Sequence, residues 1–80
     1  MKIALKCFSH VKYALNADQV DIELDEGATA AELEASVRLL AGSALDDVPL
    51  RVSVNRVFVD GGHVLQDGDE AALIPPVQGG

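Results

Sequence analysis

Eighty residues, 49% of them apolar, with six Lys and Arg against thirteen Asp and Glu, fit one small acidic domain. A formal charge of −7 argues against nucleic acid or an anionic membrane as partner, because tracking phosphates takes clustered cations; a protein partner is expected to be the more basic one. One cysteine allows no intramolecular disulfide or CxxC metal knot, and Met1 to Lys6 holds no long apolar run, so no signal peptide or membrane span is expected and a reducing cytoplasm fits.

Along the chain, Ile3, Leu5 and Cys7 alternate with Lys2 and Lys6, which predicts a half-buried strand over 2–8. Asn16-Ala17-Asp18 supplies turn chemistry. Val20, Ile22 and Leu24 then alternate with Asp21, Glu23 and Asp25, predicting a second strand over 19–25. Thr29 with Glu32 three residues on reads as a capping box opening a helix that runs to about Ala41. Leu33, Val37 and Leu40 share its packing side, Glu34 and Arg38 sit one turn apart, and Gly42 stands where the helix ends.

Leu50 to Val59 is rich in β-branched residues, with Asn55-Arg56 as a tight turn or bend, so it is a strand pair or one broken strand. Asp60-Gly61-Gly62 and Gln66-Asp67-Gly68-Asp69 are further turn signals. Ala71 to Ile74 is a short last strand stopped by Pro75-Pro76. Strand, strand, helix, then strands describes an α+β fold with one helix across a mixed sheet, for which a β-grasp arrangement is economical. A chain this short buries only roughly 60–65% of its unfolded surface, so function is sought on the surface or at an end rather than in a large cavity.

The segment Pro75-Pro76-Val77-Gln78-Gly79-Gly80 carries the most specific chemistry. Two prolines fix φ and donate nothing to a sheet, so the domain is expected to span 1–76 and residues 77–80 to form a projecting arm. Val77 and Gln78 give the arm two side chains to be read. Gly79 and Gly80 lack a Cβ, which lets the backbone thread a channel too narrow for other residues and brings the Gly80 carboxylate to a partner's active site. An α-carboxylate is an anion at neutral pH and a nucleophile toward the α-phosphorus of ATP. The acyl-adenylate so formed can be captured by sulfur, by a thiol or by an amine. The alternative is a frayed polar end with no chemistry.

Side-chain parity places Phe8 opposite Cys7, Phe58 between inward Val57 and Val59, and Ile74 opposite Leu73. These three form either an exposed docking patch at the root of the arm, with Lys12 as a rim contact, or part of the core if a bulge or register slip turns them in. His10 and His63 read as solvated, Cys7 as a small core residue, and Asp67-Gly68-Asp69-Glu70 as a hairpin turn rather than a calcium loop; no metal site is expected.

The DGDE turn, residues 67–70, followed by Ala71-Ala72-Leu73-Ile74 and the PPVQGG ending, resembles the small, sulfur-carrier subunits of molybdopterin synthase. The likeness extends to Phe8-Ser9-His10-Val11-Lys12, the Thr29-capped helix and Val54-Asn55. Lys6, Cys7 and the Lys12-Tyr13 pair depart from the residues common there. The resemblance implies the ubiquitin-like β-grasp fold and a non-catalytic carrier in the cytoplasm, with no bound cofactor of its own. An adenylyltransferase related to ubiquitin-activating enzymes would use ATP to activate Gly80, and a sulfur donor protein would convert it to a thiocarboxylate. Gly79 would permit the threading. Phe8, Phe58 and Ile74 would align with the docking surface for the large synthase subunit in a heterotetramer. There the sulfur would convert cyclic pyranopterin monophosphate into the molybdopterin dithiolene. Sibling carriers for thiamine, cysteine or tRNA thiolation share the diglycine logic, as do ubiquitin-like modifiers.

Overall fold

The computed structural model describes residues 1–76. Val77, Gln78, Gly79 and Gly80, the expected reactive arm, lie outside the described residues. In chain order the elements are β1 (Lys2–Lys6), α1 (Ser9–Leu15), β2 (Gln19–Glu23), α2 (Ala30–Ala41), a 3-10 turn (Gly42–Leu45), β3 (Arg51–Val54), β4 (Val57–Val59) and β5 (Glu70–Ile74). The sheet order is β2-β1-β5-β3-β4. Only β1 and β5 run parallel; the other neighbouring strands are antiparallel. The first and last strands are therefore central neighbours, joined by a connection that carries α2 over one face, which is the β-grasp arrangement.

Alternation explains which face is dry. Ile3 and Leu5 on β1, Ile22 on β2, Val52 and Val54 on β3, and Ala71 and Leu73 on β5 are all buried. They meet Ala30, Leu33 and Val37 of α2, with Val11, Leu45 and Leu65 closing the ends. Thr29 caps α2 from an extended backbone: its Oγ1 accepts the Glu32 N–H at 3.3 Å, and its hydroxyl donates to Glu32 Oε1 at 3.4 Å.

Leu40, expected on the packing side, is exposed. At 100° per residue it lies roughly 50–60° off the line through Ala30, Leu33 and Val37. The chain then tightens into the 3-10 turn, and Leu45 enters the core in its place.

The first strand also ends earlier than predicted. β1 stops at Lys6, and residues expected to continue it lead into α1, a helix that the sequence pattern does not predict. Val11, Ala14 and Leu15 recur at helical spacing and face the core, while Asn16 closes the helix in the left-handed conformation at φ 53°. Seven residues with one fully buried side chain give too little periodicity to outweigh the strand signal before them.

Arg38 ties α2 to the segment after it. Its Nε donates to Glu34 Oε2 at 2.9 Å, Nη1 to the Leu45 carbonyl and Nη2 to the Val48 carbonyl, both at 2.7 Å. One planar guanidinium thus holds three acceptors through three separate nitrogens, which a lysine ammonium cannot do. We predict that Arg38→Ala costs about 1–3 kcal/mol in urea unfolding, and that Arg38→Lys recovers less than half of it. Equal stability of Arg38→Ala and the parent would show that the clip is dispensable.

Candidate functional site

The sheet face opposite α2 carries the site. Register aligns Lys6 of β1 with Ala72 of β5, Ala72 with Ser53 of β3, and Ser53 with Phe58 of β4, one row across four strands. Ala72 and Ser53 are small and buried and form a floor. Phe8 and Phe58, 51% and 48% exposed, rise on either side of it, with half-buried Ile74 completing the wall. Lys12, Tyr13 and Arg56 also line this open groove of about 920 Å³. The structure thus brings Phe8, Phe58, Ile74 and Lys12 together around one concavity.

Phe8 reaches this place by a route other than strand parity. It occupies the N-cap position of α1 with φ −131°, immediately before Ser9 at φ +49°. The strand-to-helix turn, not a strand, swings it outward. Val57, expected to be inward, is exposed although it pairs with buried Val54, because β4 is the sheet edge and the core does not extend over it; Val59 is partly buried.

The root of β5 is held from both sides. Asn55 and Arg56 have φ of 50° and 72°, a type I′ pattern that makes β3 and β4 a true hairpin. The Asn55 side chain donates to Asp69 Oδ1 and accepts the Glu70 N–H, both at 3.1 Å, while its own N–H bonds the Glu70 carbonyl at 2.7 Å. Asp69 Oδ2 accepts the Gln66 N–H at 2.8 Å, and Asp67 Oδ1 accepts the Lys2 N–H at 2.7 Å. The acidic turn is therefore a structural knot in which Gly68 supplies φ +87°. It is not a hairpin turn as expected, since β4 and β5 are not partners in the sheet. Among the described residues no three His, Cys, Asp or Glu side chains are grouped to hold a metal ion. His10 and His63 are exposed.

Charges around the groove are mostly paired. Lys12 Nζ lies 2.8 Å from Asp18 Oδ1; the hydrogen bond raises the lysine's pKa and lowers the carboxyl's. Lys6 Nζ lies 3.7 Å from Glu70 Oε1. The Arg51 guanidinium sits 4.3 Å above the Phe58 ring, propping it by a cation–π contact. Cys7 is buried at the groove's edge with Sγ 3.7 Å from the Leu5 carbonyl; burial first, and Asp18 second, push its thiol pKa up, so the thiolate is disfavoured. The sequence does not assign Tyr13, Arg51 or Arg56 to the site, because their convergence depends on a helix and a register not visible there.

Pro75 and Pro76 leave the sheet at Ile74, on the groove's rim and from its central strand. The model of the ThiS family matches residues 7–80, nearly the whole chain. The chain belongs to the ThiS family. The molybdopterin synthase sulfur carrier subunit of Chlamydomonas reinhardtii is 32% identical over 84 residues, spanning all of both chains. The protein of the same description from Escherichia coli (strain K12) is 51% identical over 37 residues, 46% of either chain, so that match spans about half the length of that relative. Among solved structures, a putative molybdopterin converting factor, subunit 1, from Pyrococcus furiosus superposes with a TM-score of 0.87 at 26% identity, covering 96% of this chain and 99% of that one. Small archaeal modifier protein 1 of H. volcanii superposes with a TM-score of 0.79 at 26% identity, covering 95% and 98%. The ubiquitin-like β-grasp fold expected from the sequence is the fold of this ThiS-family chain. Its curated relatives support a sulfur-carrier role. Among the described residues no helix is long and apolar enough to cross a membrane.

Proposed function

We propose that this chain is the sulfur carrier of a molybdopterin synthase, a co-substrate rather than a catalyst, working in the reducing cytoplasm. The observation that carries the reading is the exit of the chain from the central strand beside the groove, directly ahead of Val77-Gln78-Gly79-Gly80. A partner that covers Phe8, Phe58 and Ile74, with Lys12 on its rim, is positioned to receive the four residues after Pro76.

In this reading a Gly80 carboxylate oxygen attacks the α-phosphorus of ATP in the active site of an adenylyltransferase, and pyrophosphate leaves. A persulfide on a donor protein then attacks the acyl carbon and expels AMP, and a second thiol of the partner proteins attacks the donor-side sulfur of the resulting acyl disulfide, closing a disulfide there and releasing the thiocarboxylate. ATP belongs to the partner, and the chain holds no cofactor. The large synthase subunit next takes the charged tail, and sulfur passes to cyclic pyranopterin monophosphate on the way to the dithiolene. Pro75 and Pro76 stiffen the exit, while Val77, Gln78 and Gly79 occupy the channel.

The test is conversion of cyclic pyranopterin monophosphate by the thiocarboxylated chain with a large synthase subunit. Molybdopterin should form in proportion to the carrier supplied. Efficient thiocarboxylation without any molybdopterin would assign the chain to a sibling pathway. A second reading, as a protein modifier, draws on the structural likeness to a small archaeal modifier protein. It predicts Gly80 joined to lysines of cellular proteins; mass spectrometry of tryptic digests separates it from the first.

A further inference from the structure

The charges of this chain are segregated. Four of its six cationic side chains, Lys6, Lys12, Arg51 and Arg56, surround the groove or brace its wall, against the carboxylates of Asp18 and Glu70 there. The other two cations share the remaining surface with the other eleven of thirteen carboxylates. The net charge of −7 alone points to a basic partner, yet the face at the root of the tail has the opposite local sign.

Within that face Arg56 stands apart. Lys6 and Lys12 already have carboxylate neighbours, and Arg51 is spent on the Phe58 ring. Arg56 makes no ion pair among the described residues. It is exposed in the groove lining, beside Phe58 in the hairpin. Its φ of +72° falls at the second turn position of the hairpin, where glycine is the residue of low backbone cost. A side chain placed there at the expense of backbone strain, with five hydrogen-bond donors and no acceptor among the described residues, can bind outward.

We infer that Arg56 is a specificity-determining docking residue that takes a carboxylate on the adenylyltransferase, whose contact surface is apolar opposite Phe8 and Phe58 and acidic around them. The inference rests on the function proposed above, in which the adenylyltransferase acts on Gly80 and a partner that covers the groove is positioned to receive the tail. Arg56 acts on docking and not on the reacting carboxylate, so its effect falls on KM rather than kcat.

The experiment is steady-state adenylation of the full chain by its adenylyltransferase with saturating ATP, following pyrophosphate release against carrier concentration. Arg56→Glu should raise KM for the carrier by roughly tenfold or more, and Arg56→Gln by roughly threefold or more, with kcat within about twofold of the parent. Ala35→Glu, on the exposed side of α2 across the sheet, lowers the net charge as much as Arg56→Gln does and should shift KM by less than about twofold. Unchanged KM in Arg56→Glu, equal shifts in Arg56→Gln and Ala35→Glu, or a fall confined to kcat would overturn the inference while leaving the carrier function intact. No adenylation of the parent chain itself would instead overturn the carrier function, and the inference with it. Thermal melts of each variant separate loss of docking from loss of fold.

Discussion

Removing Gly79 and Gly80 should abolish sulfur transfer and leave the folded domain as it was. In the proposed function the reacting carboxylate is that of Gly80 and Gly79 gives it passage, so the truncated chain retains its groove but ends on the wrong residue in the wrong place. We expect thiocarboxylate formation to fall by roughly 10³-fold or more, as when a nucleophile is deleted outright. Stability should change by less than about 0.5 kcal/mol, because the large buried side chains end at Leu73. Gly79→Leu sharpens the test by keeping the final carboxylate and adding only width. It should fail at the same step if threading matters, and react normally if it does not. A truncated chain that still delivered sulfur would place the chemistry elsewhere in the molecule.

The second large effect lies in the core. Leu73 is 0% exposed on the central strand, pairs with Val52, and precedes the groove wall residue Ile74 by one position. Leu73→Ala should cost about 2–5 kcal/mol, a large share of the roughly 4–12 kcal/mol expected for a domain of this length. A melting temperature lower by roughly 10 °C or more is the expected reading. Because β5 also anchors the groove floor through Ala72, docking should weaken along with stability. A loss below about 1 kcal/mol would mean that the site collapses around the cavity and that the central strand is less critical than its burial implies.

Local chemistry was the legible part of this fold. Alternation on β2, the Thr29 cap, the Glu34–Arg38 pair and the Asn55-Arg56 turn all depend on neighbours within a few residues, and sequence reports those directly. α1 escaped because its helical spacing is short and follows a strand whose parity runs smoothly into Cys7 and Phe8. Leu40 and Val57 were misplaced for a related reason: periodicity gives a direction but not how far the opposing layer extends. For the site, the outward aromatic residues were legible, although Phe8 arrives by a turn and not by a strand. The floor of Ala72 and Ser53 and the gathering of cations were not, since both follow from β5 entering the sheet between β1 and β3. That placement joins residues more than sixty positions apart and leaves no periodic trace in the chain.

The most direct measurement is the intact mass of the full chain after incubation with ATP, an adenylyltransferase and a sulfur donor that together thiocarboxylate an established carrier. A sulfur carrier should yield a species heavier by the difference between one sulfur and one oxygen atom, with the change confined on fragmentation to Gly80. An unchanged mass under those conditions, or sulfur found on Cys7 instead, would contradict that role.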